Sequence, residues 1–219
     1  MENNNIWIQI VQYFSDHWMQ YSSSFKEHIL ISMIALIFSI GIGIGFGCFC
    51  NKYNQYAKWI ISGFQILRIV PSLAVLFLLI PVMGTGIQPA LIALVFLAIP
   101  PILMNTVTGL QEVPAFLQES AYGLGMSERQ LFWKMKLPLA GPMILTGIKT
   151  AMIEIIASAT LASKIGAGGL GDIIFTGLGL NRIDLLLIGG ISVALLSIVA
   201  GFLLDRLDHL LFRYKFLDK

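Results

Sequence analysis

The stretch ESAYGLGMSERQLFWKMKLP, Glu119 to Pro138, is an island of polar and charged residues in a chain that is otherwise mostly apolar. Pro114 suits a first helical position, and Ala115 to Leu124 then reads as about three turns ended by Gly123 and Gly125. On that helix Phe116, Leu117, Ala121 and Leu124 are expected to share a face, with Gln118 and Glu119 pointing elsewhere. Ser127 and Gln130 stand at the capping-box spacing, so a second, short amphipathic helix is expected over Arg129 to Lys136, stopped at Pro138. The island is too polar to cross a bilayer and too well capped to be a slack linker. It is expected to present two helices for docking into a groove on a soluble partner.

The flanks have the composition of a membrane protein. Of 219 residues, 57% are hydrophobic and 12% charged, where a soluble domain carries about one quarter charge. Apolar runs at 28–50, 58–83, 88–110, 139–163 and 184–204 are each long enough to span hydrocarbon as helix. The expected class is therefore all-α, a polytopic membrane protein with about five transmembrane helices, and the alternation of an outer-membrane barrel is lacking. With the N-terminus outside, the inner loops hold Lys52, Lys58, Arg129, Lys134, Lys136, Arg206, Arg213, Lys215 and Lys219, against Lys26, Lys164 and Arg182 outside. The positive-inside rule then puts the island and the C-terminus in the cytoplasm. The division that follows is an interfacial segment 1–27, a transmembrane domain 28–205 with a cytoplasmic loop 112–138, and a cytoplasmic tail 206–219. No cleavable signal is expected, because Met1 to Asn5 lacks a basic region, and Ile6 to Phe14 reads as a helix lying in the outer interface.

Other residue types exclude several functions. Cys48 and Cys50 have no partner cluster and read as small buried hydrophobes, and His17, His28 and His209 are scattered, so no metal site and no catalytic residue is expected. A net charge of +2 with no basic aromatic stripe argues against nucleic acid. Gly41 with Gly45 and Gly43 with Gly47 form GxxxG pairs read as helix packing. Pro71, Pro100 and Pro101 fall inside apolar runs, where each is expected to kink or interrupt its helix.

Glu119, Ser120 and Ala121, then Gly125, Met135, Leu137 and Pro138, closely resemble the EAA loop of ABC importer permeases, E-A-A-x3-G-x9-I-x-L-P. The departures are Ser120 for alanine and Met135 for isoleucine. Together with RIVPSLAVLFLLIPVMGTG (68–86), PILMNTVTGL (101–110) and ATLASKIGAGGLGDIIFTGL (159–178), the loop looks like that of the permease subunits of osmoprotectant importers for glycine betaine, carnitine and choline. The methionine-importer permeases are similar in overall plan. The resemblance covers roughly residues 28 to 205 and implies a type I ABC importer permease fold in a bacterial cytoplasmic membrane. It also implies two ATPase subunits that carry the ATP and magnesium, an external substrate-binding protein, and a second permease copy or paralogue. By position, Glu119, Ala121 and Gly125 would set the docking helix and its turn, and Leu137 and Pro138 would anchor the exit into the fourth span. No G-x-x-x-x-G-K-[ST] loop occurs in the chain, which agrees with ATP chemistry residing elsewhere.

The loop from Lys164 to Asn181 carries Gly166, Gly168, Gly169 and Gly171, read either as a slack connector or as an outer gate or binding-protein contact, with family position favouring the latter. Asp172 is expected to cap the helix that follows. Arg68, Lys149 and Glu154 are intramembrane charges, for which a structural pairing, including one to Glu154 or Glu112, ranks ahead of a substrate contact. Phe64, Phe77 and Phe96 are offered as soft contacts along a path, against ordinary packing. The competing classes are a self-contained secondary transporter built on Glu154 and Lys149, and an integral membrane enzyme.

Overall fold

The computed structural model describes residues 5–212, and among them no strand occurs. The helices are α1 (Ile6–Lys52), α2 (Asn54–Ile69), α3 (Ser72–Met83), α4 (Ile87–Gln111), α5 (Ala115–Gly123), α6 (Glu128–Leu131), α7 (Leu137–Ala162), α8 (Leu170–Gly179) and α9 (Ile183–Leu211). A π turn, Phe132–Lys136, joins α6 to α7, and a 3-10 turn, Ser163–Ile165, follows α7. Four helices are long and apolar enough to cross a membrane, and the bent pair α2 and α3 raises the number to five. The tail residues Arg213, Lys215 and Lys219 and the first four residues lie outside the described residues.

Helix α4 is the hub. It carries no charged residue between Ile87 and Gln111, and α1, α2, α3 and α7 all pack against it. Close approach is made by glycine. A side chain at Gly43 or Gly47 of α1 would strike Ile102 or Thr106 of α4, and one at Gly147 of α7 would meet the Pro101 carbonyl and Asn105. Gly109 of α4 lies equally tight against Met143 and Ala140. Gly41 and Gly45 face open space, so of the two GxxxG pairs only Gly43 with Gly47 packs within the chain. Cys50 is fully buried and packs with Ile99 and Leu103.

One sequence expectation about proline is met and two are corrected. The run 58–83 is interrupted at Pro71 as expected, forming two helices bent by 97° across Val70 and Pro71. Proline disfavours helical backbone at the preceding residue, and Val70 is extended at φ −72° and ψ 125°. By contrast α4 runs unbroken through Pro100 and Pro101, both buried. The Asn105 amide donates to the Pro101 carbonyl at 2.8 Å and the Thr106 hydroxyl to the Ile102 carbonyl at 2.7 Å. Finally, Pro138 does not stop its helix: it sits in the first turn of α7, where a missing N–H is tolerated.

Helix α1 shows no break at residue 27. Its 47 residues extend about 70 Å, more than twice the roughly 30 Å of hydrocarbon. Its backbone departs from helical geometry at His17, φ −124° and ψ 22°. The part before that break packs through Ile10, Tyr13 and Phe14 on Leu170 and Ile173 of α8 and Leu185 and Ile188 of α9.

At the corner between α7 and α8, Gly171 brings its backbone so close that an added Cβ would lie 2.1 Å from the Thr160 carbonyl oxygen. Gly171→Ala is therefore expected to lower the Tm of the purified chain by about 5 to 10 °C, an overpacking cost of about 3 kcal/mol. Gly41→Ala, made into open space, should leave the Tm unchanged in the same thermal unfolding assay.

Candidate functional site

The segment between α4 and α7 forms a bracket whose shape is set by the main chain. The Gly125 N–H donates to the Tyr122 carbonyl at 2.9 Å and the Met126 N–H to the Ala121 carbonyl at 3.1 Å, with Gly125 at φ +78°. These two bonds and the left-handed residue are a Schellman closure of α5. A side chain at Gly125 would meet nothing within 4 Å, so glycine is required by backbone conformation and not by crowding. Two residues on, the Ser127 hydroxyl accepts from the Gln130 N–H while the Gln130 side chain accepts from the Ser127 N–H, completing the capping box. The Ser120 hydroxyl is absorbed by its own helix, donating to the Phe116 carbonyl at 2.8 Å.

Both feet of the bracket are fixed. The Gln118 side chain donates to the Val113 carbonyl at 2.9 Å, tying α5 to the short connector that follows α4. Phe132 and Leu137 pack against Leu110 of α4 and Ala140 and Ile144 of α7. The expected helix over Arg129 to Lys136 is instead the single turn α6 followed by the π turn, in which the Leu137 N–H reaches back to the Phe132 carbonyl. Bracket and α7 thus form a helical column from Glu128 to Ile165.

The apolar face of α5 is not buried as a whole. Ala121 is buried, whereas Phe116 and Leu124 are exposed. Tyr122, Glu119, Glu128 and Trp133 are exposed as well, so the bracket turns large apolar groups outward beside carboxylates. Exposed aromatics on a rigid support are the features of a protein-docking surface.

At the far end of α7, Gly166, Gly168 and Gly169 have φ of +83°, +76° and +86°. The loop they shape is a packed turn and no slack connector. The Gly169 N–H donates to the Glu27 carboxylate at 3.3 Å, Gly169 lies against His28, and the Gly86 N–H donates to the Ile165 carbonyl at 2.6 Å. Gly169 is the residue that begins α8, and Asp172 stands inside the first turn, which corrects its assignment as the cap. Burial, and then the neighbouring Glu27 carboxylate, push the Asp172 carboxyl above its ordinary range.

The intramembrane charges separate into two cases. Lys149 pairs with Asp205 of α9 at 2.5 Å, which replaces the expected partners Glu154 and Glu112. Arg68 and Glu154 feel one another electrostatically but make no ion pair within 4.0 Å and no hydrogen bond among the described residues. Sequence reading missed a second pair, Arg182 with Asp184, of which Asp184 is 1% exposed. This pair lines an open cavity of about 630 Å³ with Gln9, Gln12, Asp16 and His17. No pattern marked the cavity, because its lining comes from residues 6–17 and 181–184, far apart in sequence. Phe64 and Phe96 line one apolar groove with Phe38 and Phe46, while Phe77 stands apart on α3.

Comparison with known proteins agrees with this geometry. Residues 39–213 match the family described as the binding-protein-dependent transport system inner membrane component. The chain is 40% identical over 200 residues to the carnitine transport permease protein OpuCB of Listeria monocytogenes, covering 91% of this chain and 92% of that one. It is 40% identical over 195 residues to the choline transport system permease protein OpuBB of Bacillus subtilis strain 168, covering 89% and 90%. An inward-facing structure of the MetNI methionine ABC transporter superposes with a TM-score of 0.79 at 21% identity, over 90% of this chain and 98% of that one, and fixes the type I importer permease fold. A bracket between two spans, a glycine-shaped turn at the opposite end and this breadth of similarity lead to one conclusion: the chain is a multi-pass membrane permease belonging to the inner-membrane component family of binding-protein-dependent transport systems.

Proposed function

We propose that this chain forms the membrane pathway for a compatible solute, glycine betaine, carnitine, choline or a related quaternary amine. An external binding protein delivers that solute, and two separate ATPase subunits that carry ATP and magnesium drive its passage. The observation that carries the proposal is the bracket itself: a Schellman-closed helix bearing Glu119 and Ala121, braced at both feet, with Phe116, Tyr122, Leu124 and Trp133 turned outward. The solute class rests on relatives at 40% identity named for carnitine and choline. The lysine and arginine distribution supports an external N-terminus and a cytoplasmic bracket and C-terminus.

In this reading the chemistry belongs to the ATPases and the mechanics to this chain. ATP binding closes the ATPase pair and moves their grooves together with the docked α5 and α6. Because Phe132 and Leu137 of the bracket pack on Leu110 of α4 and the bracket continues into α7, its displacement becomes a tilt of two spans. A second permease copy or paralogue undergoes the same movement, and the path opens alternately outward and inward. The turn shaped by Gly166, Gly168, Gly169 and Gly171 sits at the other end of α7, placed to act as an outer gate or to meet the binding protein.

Two measurements test this. In the reconstituted complex, Gly125→Val should cut binding-protein-stimulated ATP hydrolysis by about tenfold while membrane insertion stays normal, because a β-branched residue resists the left-handed backbone. Gly125→Asn, which accepts that conformation, should stay within about threefold of wild type. Equal stimulation in all three proteins would contradict the docking role. In a chain with Cys48 and Cys50 replaced by alanine, Trp133→Cys should react with an impermeant maleimide only in inside-out vesicles, and protection by added ATPase should be complete; labelling from the outer side would reverse the topology.

A further inference from the structure

Arg68 and Glu154 are both placed inside apolar runs, where an unpaired charge is costly and calls for a partner. The other intramembrane cation meets its need within the chain, Lys149 with Asp205. Arg68 and Glu154 do not. Neither has an ion pair or hydrogen bond among the described residues, although each is near enough to act on the other electrostatically.

The backbone beside Arg68 points the same way. Arg68 ends α2, and the chain then breaks at Val70 and Pro71 and turns by 97° into α3. Non-helical backbone at membrane depth is tolerated where protein buries it or where it lines a water-filled cavity. Within this chain it is not buried: Arg68 is exposed, Ile69 is 81% exposed and Pro71 is exposed. Helix α3 leads from the break to α7, which carries Glu154 half-buried about two turns from its end. A cation and an anion thus stand without a partner in the chain beside an interrupted span, and discontinuous helices are where transporters build solute sites.

We propose that Arg68 and Glu154 together form a transient solute site within the membrane, Glu154 receiving the quaternary ammonium group and Arg68 the carboxylate of a zwitterionic osmolyte. This rests on the compatible-solute reading above and adds to it a rule of selection. A solute with both charges, such as glycine betaine or carnitine, engages both residues. Choline carries the ammonium and a neutral hydroxyl, and engages Glu154 alone. The guanidinium suits a carboxylate because its planar fork can donate two parallel hydrogen bonds.

The test is uptake of radiolabelled glycine betaine and choline by proteoliposomes containing the complete complex and its binding protein, with stimulated ATP hydrolysis measured in parallel. Arg68→Gln should lower glycine betaine uptake by about tenfold and leave choline within about twofold, since only the carboxylate contact is lost. Glu154→Gln should lower both by about tenfold, with stimulated hydrolysis retained. The double variant, Arg68→Gln with Glu154→Gln, should also fail to move glycine betaine. If the two charges merely balance each other, the double variant restores wild-type uptake, and that result overturns the site. An equal effect of Arg68→Gln on both solutes, or loss of stimulated hydrolysis in either single variant, overturns it too. A wild-type complex that couples hydrolysis to its binding protein yet moves neither solute would instead refute the compatible-solute reading, and this site with it.

Discussion

The structure depends on how closely three helices approach one another. Hydrocarbon solvates an apolar side chain as well as another helix does, so association inside a membrane relies on dense van der Waals contact, which needs backbones brought together by small residues. Gly43 and Gly47 admit Ile102 and Thr106 to α1, Gly109 admits Met143 to α4, and Gly147 lies on the Pro101 carbonyl. These contacts make α1, α4 and α7 one unit. Everything with a function hangs from it: the bracket between α4 and α7, the broken span packed against α4, and the glycine turn where α7 ends.

Rigidity at the bracket is achieved with main-chain bonds rather than bulk. The Schellman closure and the capping box satisfy the orphan groups of two very short helices that would not hold their shape alone. Leu110, Ala140 and Ile144 then seat Phe132 and Leu137 at the base. Phe116, Tyr122, Leu124 and Trp133 stay exposed beside the charged residues Glu119, Glu128 and Arg129, while Ala121 and Leu131 are buried.

Much of this was legible in the sequence because its causes are local. Ser127 and Gln130 announced the capping box, Gly125 announced the left-handed turn, and Pro71 announced a break. Apolar length located the spans, and Pro71 marked a kink or interruption in the run 58–83, but composition carries no bend angle and so did not foretell the 97° turn between its two helices. Pairings that cross the fold were hidden: Lys149 with Asp205 and Tyr21 with Ser192 join residues far apart in the chain. The face of α5 misled for a related reason. Helical spacing groups Phe116 with Leu124, but which side of a short helix meets its own protein depends on a brace, Gln118 to Val113, that spacing does not encode.

The π turn at Phe132–Lys136 has a further consequence. It winds one surplus residue into the column, and each residue of an α-helix advances about 100° around the axis. The turn therefore sets the azimuth of everything below it. Deleting a single residue there would restore even winding and swing Trp133's neighbours on α6 about a quarter of a revolution away from where they now point, with the span above undisturbed. The five residues serve as the phase adjustment of a shaft, fixing the compass direction in which α6 faces relative to the span it joins.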